Sequence, residues 1–387
     1  MSRRRIVLVD QYFPPDAAAT ARIVEDFAAV CAGSGAPLTI VCGYPSYDAP
    51  TRPGWRPLRR VRAPGVTRYV VGSTGFDRRS ALGRVCNYMT FIVCAAVLVP
   101  FVAARAAFVV MTDPPMAPLL AWWAKRVGRV HSVTIWIQDL HPDFGVAAGL
   151  VRDGRTVRLW RRGLGAALRA ADEVVVLGRD MAERVHAIAD VPTRVVHNGW
   201  SGVAPASTDS APPNGGPLRV MHFGNLGFAG PWASVLAAAR DLDGVAEFVF
   251  VGGGAAERDF ADAPANVSVA ARVPHDEVPA LAAQADLLLV GTRGGIEGYV
   301  VPSKGYEMMA LARPLLVVAA PTAEMRRLVE QHGCGVAVDD DASAIVVALQ
   351  SVSRGDLPAM GERAHIAAAA YTRAGQFTVL VEALSPA

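Results

Sequence analysis

The sequence contains little lysine and no paired cysteine motif. Of its 38 basic residues, two are lysines, Lys125 and Lys304, and the rest are arginines, so a lysine at a motif is informative. The five cysteines never form a CxxC pair, which argues against a disulfide framework or a zinc ribbon and favours a reducing compartment. The apolar block at residues 6–9 is too short for a signal-peptide core, and we expect a cytoplasmic protein.

Motifs of several common enzyme classes are also absent. Without GxGxxG a nicotinamide oxidoreductase is disfavoured, and without GxxxxGKS or GxxxxGKT a P-loop kinase is disfavoured. No GxSxG elbow precedes a helix, so a hydrolase triad has no anchor. HExxH is missing and the eight histidines show no metal-ligand spacing, so we expect no metal and no cofactor. No recognised nucleic-acid-binding module accompanies the basic residues, and we expect no nucleic-acid partner.

The sequence does have the composition of a large globular protein. It is 387 residues long and 52% hydrophobic, enough for the cores of two domains. Short β-branched segments alternate with alanine-rich amphipathic stretches, which predicts a parallel α/β fold with helices at residues 20–32, 117–127, 233–240 and 278–283. Strands are predicted at residues 5–10, 38–42, 107–111, 132–137, 173–176, 218–223, 246–251, 267–269, 287–290, 315–318 and 335–338.

A linker is predicted at residues 201–217, where proline, glycine and serine are frequent and no periodicity is present. It separates an α/β domain at residues 1–200 from a second one at residues 218–363. In doubly wound domains ligands bind at the carboxyl ends of the strands. The functional residues are therefore sought in the loops that follow strands.

Two features of the first half concern surfaces. Residues 86–104 are 19 residues without a charge, which leaves open a membrane span, a core helix, or a helix that touches a bilayer. Arg155, Arg158 and Arg162 share one helical face. With the arginines nearby they predict a surface for an anionic lipid or a diphosphate-linked acceptor, and a solvated basic face is the alternative. Those arginines are Arg52, Arg56, Arg59, Arg60, Arg62, Arg68, Arg78, Arg79 and Arg84.

Glycine-rich turns follow two strands of the second half. HFGNLGFAG spans residues 222–230 and VGGGAAE spans residues 251–257, and each precedes a helical stretch. Glycines at such turns let backbone N–H groups approach a phosphate. A tight turn without a ligand is the alternative for either loop alone. Two such loops in one domain favour an anionic ligand.

The segment GTRGGIEGYVVPSKGYEMMALARP, residues 291–314, is the most informative one. A glycine-rich loop leads into a helix that has Pro302 and Ser303 near its start and Lys304 beside it. A phosphate there would meet the Lys304 ammonium, and the Glu307 carboxylate one turn later would accept hydrogen bonds from a ribose diol. A capped surface helix with a solvated Lys304 is the alternative.

These residues resemble the retaining glycosyltransferases of the GT-B fold, family 4, and especially the branch that builds bacterial surface polysaccharides with N-acetylhexosamine or fucose transferases. The resemblance covers nearly the whole chain and implies two Rossmann-like domains facing across a cleft, with residues 364–387 forming a C-terminal helix that crosses back to the first domain. The marks are DQYFPPD, TDPPMAPLLAWW, IWIQDLHPDFGVAAGL, VVHNGW, HFGNLG, ARVPHDEVPALAAQAD and VPSKGYEMMALARP, in this order.

The resemblance implies a nucleotide-sugar donor, most often UDP-linked, in the second domain. Glu307 matches the second glutamate of the family's ExxxxxxxE motif and would bind the ribose hydroxyls, and Ser303 and Lys304 would meet the pyrophosphate. The first motif glutamate is replaced by Tyr299, and the nearest acid is Glu297. The remaining donor-binding residues are Arg272 and Val273 beside the base and Gly224, Asn225 and Gly227 on the phosphate side.

The acceptor side is predicted in the first domain. Asp139, His141 and Asp143 follow a predicted strand, and Asp139 or His141 is predicted to position or deprotonate the acceptor hydroxyl. As alternatives, Asp139 caps the next helix and His141 is a polar core residue. Asp16 is a further acceptor-side residue. The N-terminal loop is alanine-rich at residues 17–19, where the family is usually glycine-rich.

The resulting prediction is a retaining, metal-independent glycosyltransferase, cytoplasmic or peripheral on the inner face of the membrane. Its acceptor is predicted to be a saccharide, a polyprenyl-diphosphate-linked molecule or a small molecule. A sugar-nucleotide epimerase on the same architecture and a non-catalytic sugar-nucleotide-binding homologue are the alternatives.

Overall fold

A computed structural model describes residues 3–16, 18–45, 56–77, 80–127, 129–202 and 215–386. Residues 203–214 of the predicted linker lie outside these ranges. So do Ala17 of the N-terminal loop and three of the predicted surface arginines, Arg52, Arg78 and Arg79.

The chain divides into two compact units. The first comprises Met1–Asn198 and Ala374–Ala387, and the second comprises Gly199–Arg373. The chain thus re-enters the first unit at Ala374, later than the boundary predicted at residue 363. The reason is that residues 364–371 still belong to the second core, where Ala364, Ala368 and Tyr371 are buried.

The first unit contains an eight-stranded sheet in the order β3-β4-β2-β1-β5-β6-β7-β8. Its pairings are parallel except for the antiparallel β3–β4 hairpin at one edge. The hairpin was not predicted, because β3 is LRRVRA, with five of six residues exposed, and has no buried face to reveal it. The strands are β1 (Ile6–Val9), β2 (Leu38–Cys42), β3 (Leu58–Ala63), β4 (Val66–Val71), β5 (Ala107–Met111), β6 (Ser132–Trp136), β7 (Glu173–Val176) and β8 (Thr193–Val195).

Helices cover this sheet. They are α1 (Ala19–Gly33), α2 (Ala81–Val102), α3 (Leu119–Val127), α4 (Asp143–Ala147), α5 (Arg155–Ala170), α6 (Arg179–Ile188) and α13 (Arg373–Leu384). In the core, the rings of Phe27 on α1, Trp136 on β6 and Phe377 on α13 meet edge to face, with centroids 5.3–5.9 Å apart. Such contacts add to the burial of apolar surface, so the last helix is an integral part of the first core.

The second unit contains a six-stranded parallel sheet in the order β11-β10-β9-β12-β13-β14. The strands are β9 (Leu218–Asn225), β10 (Ala246–Gly253), β11 (Val267–Ala270), β12 (Leu287–Gly291), β13 (Leu315–Val318) and β14 (Gly335–Val338). The helices are α7 (Trp232–Asp241), α8 (Val278–Ala282), α9 (Lys304–Ala310), α10 (Glu324–His332), α11 (Ala342–Ser351) and α12 (Leu357–Ala368), with 3-10 turns at Glu257–Phe260 and Ala369–Tyr371. The α/β architecture with two parallel sheets confirms the predicted fold class.

Candidate active site

The glycine turns of the second unit lie side by side at the carboxyl edge of its sheet. Gly224 is the last but one residue of β9, and Gly252 is the last but one residue of the neighbouring β10, in register with it. Both have left-handed backbone angles, with φ of 141° and 148°. A Cβ on Gly252 would lie 1.9 Å from the Gly224 carbonyl oxygen. Glycine is therefore required for these strands to end this close together.

Lys304 covers the end of β9. It is the first residue of α9, and a Cβ on Gly224 would lie 2.5 Å from the Lys304 Nζ atom. Desolvation by the surrounding protein atoms lowers the pKa of Lys304. The Glu307 carboxylate opposes this shift, and the nearby Arg272 guanidinium adds to it. An ammonium whose charged form is disfavoured in this way would gain from a bound anion. The side chain remains accessible to one, since Lys304 is exposed.

Lys304 and Glu307 line one pocket. They stand three residues apart on α9, which places them on the same helical face. The pocket walls include Trp200, whose indole nitrogen donates a hydrogen bond to the Ala368 carbonyl at 2.7 Å. The pocket therefore combines one cation and one carboxylate with a mostly apolar wall. The other lining residues are Ser201, Phe223, His275, Val278, Pro279, Met308, Ala310 and Leu311.

Asn225 stands between two glycines of the predicted phosphate-binding loops. A Cβ on Gly227 would lie 2.9 Å from the Asn225 amide nitrogen, and one on Gly254 would lie 2.5 Å from its side-chain oxygen. Side chains at these two positions would therefore displace the amide. Asn225 is exposed and follows directly on Gly224. The structure thus brings Gly224, Asn225, Gly227 and Lys304 together.

The other predicted donor-side residues surround α9. Ser303 immediately precedes α9 and is partly buried. Arg272 is exposed, and Val273 packs against the second core. Glu297 and Tyr299 lie in the loop between β12 and α9, both partly buried, and Glu297 forms a β-bridge with Val300.

His222 is a residue of this edge that the sequence analysis did not select. Its Nδ1 atom donates a hydrogen bond to the Leu289 carbonyl at 3.0 Å, and its Nε2 atom is buried with no hydrogen-bond partner among the described residues. Burial is the main cause that lowers the pKa of His222 to about 4, and Lys304 adds to it. His222 opens the HFGNLG motif, which was the available signal.

Acidic side chains gather at the carboxyl edge of the first sheet. Asp10 follows β1, Asp113 follows β5 and Asp139 follows β6. Asp10 is fully buried, and this burial, followed by the charge of Asp113, holds its pKa well above the usual value. Asp139 is accessible to solvent, although protein atoms surround its carboxylate closely. This desolvation, and to a smaller extent the Asp113 carboxylate, raises the pKa of Asp139 to about 7.

Hydrogen bonds hold the loops of this edge in place. The Thr112 hydroxyl accepts hydrogen bonds from the backbone N–H groups of Gln138, at 3.0 Å, and Asp139, at 3.4 Å. The Gln11 N–H donates to the Asp113 carbonyl at 2.9 Å. The loops after β1, β5 and β6 are therefore linked, and Asp139 extends from a fixed backbone.

The structure assigns different surroundings to His141, Asp143 and Asp16. His141 is partly buried and stacks on the Trp160 ring, with centroids 6.1 Å apart, and burial lowers its pKa to about 4. Asp143 is the first residue of α4 and forms an ion pair with Arg161 at 2.8 Å. Asp16 is buried near Asp10, whose pKa it helps to raise.

Buried polar atoms without partners mark the same edge, and the sequence analysis missed them. Asp10 Oδ1, Gln11 Oε1, Ser73 Oγ and Gln138 Nε2 have no hydrogen-bond partner among the described residues. Ser73 and Gln11 are neighbours, because a Cβ on Gly43 would lie within 3.5 Å of both side chains. Buried polar groups are normally hydrogen-bonded, so unpaired donors and acceptors at one edge point to a polar ligand. Asp10 and Gln11 open the DQYFPPD motif, which was the available signal.

Across the described ranges, no three His, Cys, Asp or Glu side chains are grouped so that they would hold a metal ion. The comparison with known proteins starts at the first unit, where the glycosyl transferase 4-like domain family matches residues 19–199. The first domain is therefore similar to glycosyl transferase 4-like domains. The match begins at α1 and ends one residue after the first segment of the first unit, so it leaves out β1 and the C-terminal helix of that unit.

Further relatives and solved structures extend the comparison to the second domain. The probable glycosyltransferase WbjE of Pseudomonas aeruginosa is 29% identical over 242 residues, 58% of this chain and 60% of WbjE. A sucrose-phosphate synthase from Thermosynechococcus elongatus superposes with a TM-score of 0.71 at 14% identity over 99% of this chain and 98% of its own. Anabaena HepE, solved with UDP and glucose, gives 0.65 at 12% identity over 98% and 99%. These structures show that the chain has the GT-B fold, as predicted.

Proposed function

We propose that the protein is a retaining glycosyltransferase that moves a sugar from a nucleoside-diphosphate donor, a UDP-sugar, to an acceptor hydroxyl without a metal ion. The observation that carries the proposal is the Lys304 ammonium above the Gly224 turn, with the Glu307 carboxylate in the same pocket. The family match of the first domain supports group transfer. The HepE structure with UDP and glucose supports a uridine nucleotide.

The donor is proposed to bind along α9. Lys304 and Ser303 contact the pyrophosphate, and the phosphate charge compensates the effects that lower the pKa of Lys304. Glu307 accepts two hydrogen bonds from the ribose diol, a geometry that a carboxylate suits well. The base lies against the exposed Arg272 and the apolar side chain of Val273.

The turns around Asn225 are proposed to face the donor phosphates. Gly224 and Gly227 leave room for the phosphate oxygens, and the Asn225 amide is available as a donor. Tyr299 occupies the position of the first glutamate of the family motif. We assign the contact with the donor sugar hydroxyls to Glu297, two residues earlier in the same loop.

Asp139 is proposed to act on the acceptor. A general base works best when its pKa is near the working pH, and the pKa of Asp139 is about 7, whereas that of His141 is about 4. The acceptor oxygen bonds to the anomeric carbon while the bond to the diphosphate oxygen breaks. UDP leaves with that electron pair, and the acceptor proton passes to the Asp139 carboxylate. His141 remains neutral and positions the acceptor, with Asp143 held in its ion pair beside it.

The acceptor is proposed to be rich in hydroxyl groups. Gln11 Oε1 needs a hydrogen-bond donor and Gln138 Nε2 needs an acceptor, while Asp10 Oδ1 needs an acceptor when its carboxyl is protonated and a donor when it is ionised. A sugar hydroxyl supplies both functions, so a saccharide, free or linked to a polyprenyl diphosphate or to a small molecule, matches this edge. Asp16 is buried near Asp10 and belongs to the same edge of the sheet. The proposed location is the cytoplasm, with the arginines at residues 52–84 and 155–162 in peripheral contact with the inner face of the membrane.

A donor panel tests the proposal. The protein is incubated with UDP- and GDP-sugars, a mixture of saccharide and lipid-linked acceptors, and either EDTA or magnesium, and the products are analysed by mass spectrometry and anomeric-proton NMR. We expect free UDP, a heavier acceptor with the donor's anomeric configuration, and equal rates with EDTA. An altered donor sugar without transfer would show an epimerase instead. Binding without turnover would show a non-catalytic homologue.

A further inference from the structure

Helix α2 has an apolar side that is left exposed. Leu82, Val85, Met89, Val93, Val97 and Phe101 recur every three or four residues and are 40–79% exposed. Of the described helices, α2 is the one long and apolar enough to cross a bilayer. A helix that is apolar all round is normally buried on all sides. We call these six residues the α2 stripe, which runs over about 29 Å at 1.5 Å per residue.

The opposite side of α2 is fixed to the domain, so the helix does not stand free as a membrane span. Phe91, Ala95 and Val99 are fully buried. The Asn87 side chain, also buried, accepts a hydrogen bond from the Phe76 N–H at 2.9 Å and donates one to the Phe76 carbonyl at 3.0 Å. Of the three interpretations of residues 86–104, the structure favours a helix with one side in the core and one side open.

Two tryptophans extend the α2 stripe onto α3. Trp122 and Trp123 are 41% and 36% exposed. The Trp123 indole nitrogen donates a hydrogen bond to the Ala96 carbonyl of α2 at 2.9 Å, and the Arg126 guanidinium lies 4.9 Å from the centre of the Trp122 ring. Indole rings are favoured where an apolar phase meets water, because one end is apolar and the other donates a hydrogen bond.

Basic residues flank the stripe, and acids are absent from the elements around it. Helix α2 packs against β2, β4 and α3, and α3 packs against α5. The sequences of β3, β4, α2, α3 and α5 contain no aspartate or glutamate. The exposed arginines of these elements include Arg59, Arg60 and Arg62 on β3, Arg84 on α2, and Arg155, Arg158 and Arg162 on α5.

We propose that the α2 stripe docks on an anionic lipid bilayer, with α2 parallel to the membrane plane, Trp122 and Trp123 at the headgroup level, and the flanking arginines on anionic headgroups. An apolar centre with a basic rim is the pattern of a helix that lies in the interface. The charge argues against a second copy of the chain as the occupant, because two such faces would oppose basic rim to basic rim. The proposal does not depend on the enzymatic reaction.

Vesicle flotation tests the docking surface. The full chain is mixed with vesicles of phosphatidylcholine containing phosphatidylglycerol, or of phosphatidylcholine alone. The variant Val93→Gln/Val97→Gln makes the stripe polar without changing the net charge. Val347→Gln is the matched control, because Val347 on α11 is 64% exposed and Val97 is 66% exposed. We expect at least a tenfold lower partition coefficient on anionic vesicles for the stripe variant and an unchanged one for the control.

A charge variant tests the rim. Arg155→Gln/Arg158→Gln/Arg162→Gln is expected to weaken binding to anionic vesicles severalfold and to reduce its dependence on salt. Far-UV circular dichroism and UDP binding verify that every variant is folded. Equal flotation of the native chain and the stripe variant would overturn the proposal. So would a native dimer that dissociates in the stripe variant while no form floats with vesicles.

Discussion

The carboxyl edges of the two sheets share a backbone arrangement and differ in charge. At the first edge Asp10, Asp113 and Asp139 follow three strands, and burial, then the charge of Asp113, raise the pKa values of Asp10 and Asp139. At the second edge Lys304 lies over a glycine turn near Arg272, and its pKa is lowered. At each edge the charged form of these side chains is therefore disfavoured, and a suitable bound ligand would stabilise it.

In the proposed reaction, this difference assigns the donor half to one edge and the acceptor half to the other. A cation beside glycine turns suits a diphosphate, whose charge it neutralises as the leaving group departs. A carboxylate with a pKa near neutrality suits a hydroxyl, whose proton it accepts. In this proposal the two sheets share one architecture, and the chemistry is assigned to the few residues that follow the strands.

The largest expected effect comes from removing the base. We expect Asp139→Asn to lower kcat by about 10²–10⁴-fold, the usual contribution of a positioned base, and to leave UDP affinity unchanged. In the native enzyme kcat/KM should rise with pH through about 7, because the active carboxylate forms above the pKa of Asp139. In the variant this rise should disappear.

Initial rates over a pH series measure this effect. Asp153→Asn is the control, because Asp153 is exposed and its carboxylate serves only an ion pair with Arg161 among the contacts described. A native-like rate and pH profile in Asp139→Asn would show that Asp139 is not the base of the proposed reaction.

The second effect concerns the cation of the other edge. We expect Lys304→Ala to weaken UDP binding at least tenfold, which is about 1.4 kcal/mol, because the ammonium over Gly224 is lost. The chain contains its own control, since the other lysine, Lys125, forms an exposed ion pair with Asp172 at 2.5 Å. Calorimetric titration with UDP should distinguish Lys304→Ala from a native-like Lys125→Ala. Equal UDP affinities of the two variants would show that Lys304 does not contact the donor.

The sequence predicts the second edge better than the first. The strands other than β3, β4 and β8, and the glycine turns next to Lys304, follow from local patterns, because buried β-branched runs and glycine turns are sequence-local signals. The acidic edge does not, since Asp10, Asp113 and Asp139 lie far apart in the chain and meet only through strand order. The β3–β4 hairpin was missed because its exposed arginines conceal the alternation of a strand, and the exposure of α2 depends on packing that no local pattern contains.

The third effect concerns the ribose. We expect Glu307→Gln to weaken UDP binding about tenfold, because a neutral amide accepts hydrogen bonds from the diol less strongly than a carboxylate. The same substitution should not weaken the binding of dideoxy-UDP, which lacks both ribose hydroxyls. Calorimetry on the two proteins with the two ligands gives the coupling energy directly. A coupling energy near zero would place the ribose elsewhere.

The smallest effect is on stability, and it tests whether the acidic edge is strained without a ligand. Burial and Asp113 raise the pKa of Asp10 in the folded protein, so the folded state keeps a proton that the unfolded chain releases near pH 3.8. The free energy of unfolding should therefore decrease as the pH rises above that value, by at most about 1.4 kcal/mol per pH unit. Asp10→Asn removes this titration while keeping the shape of the side chain, so its free energy of unfolding should depend less on pH. Urea unfolding from about pH 5 to pH 8 measures the difference, and parallel curves for the two proteins would show that Asp10 is not strained.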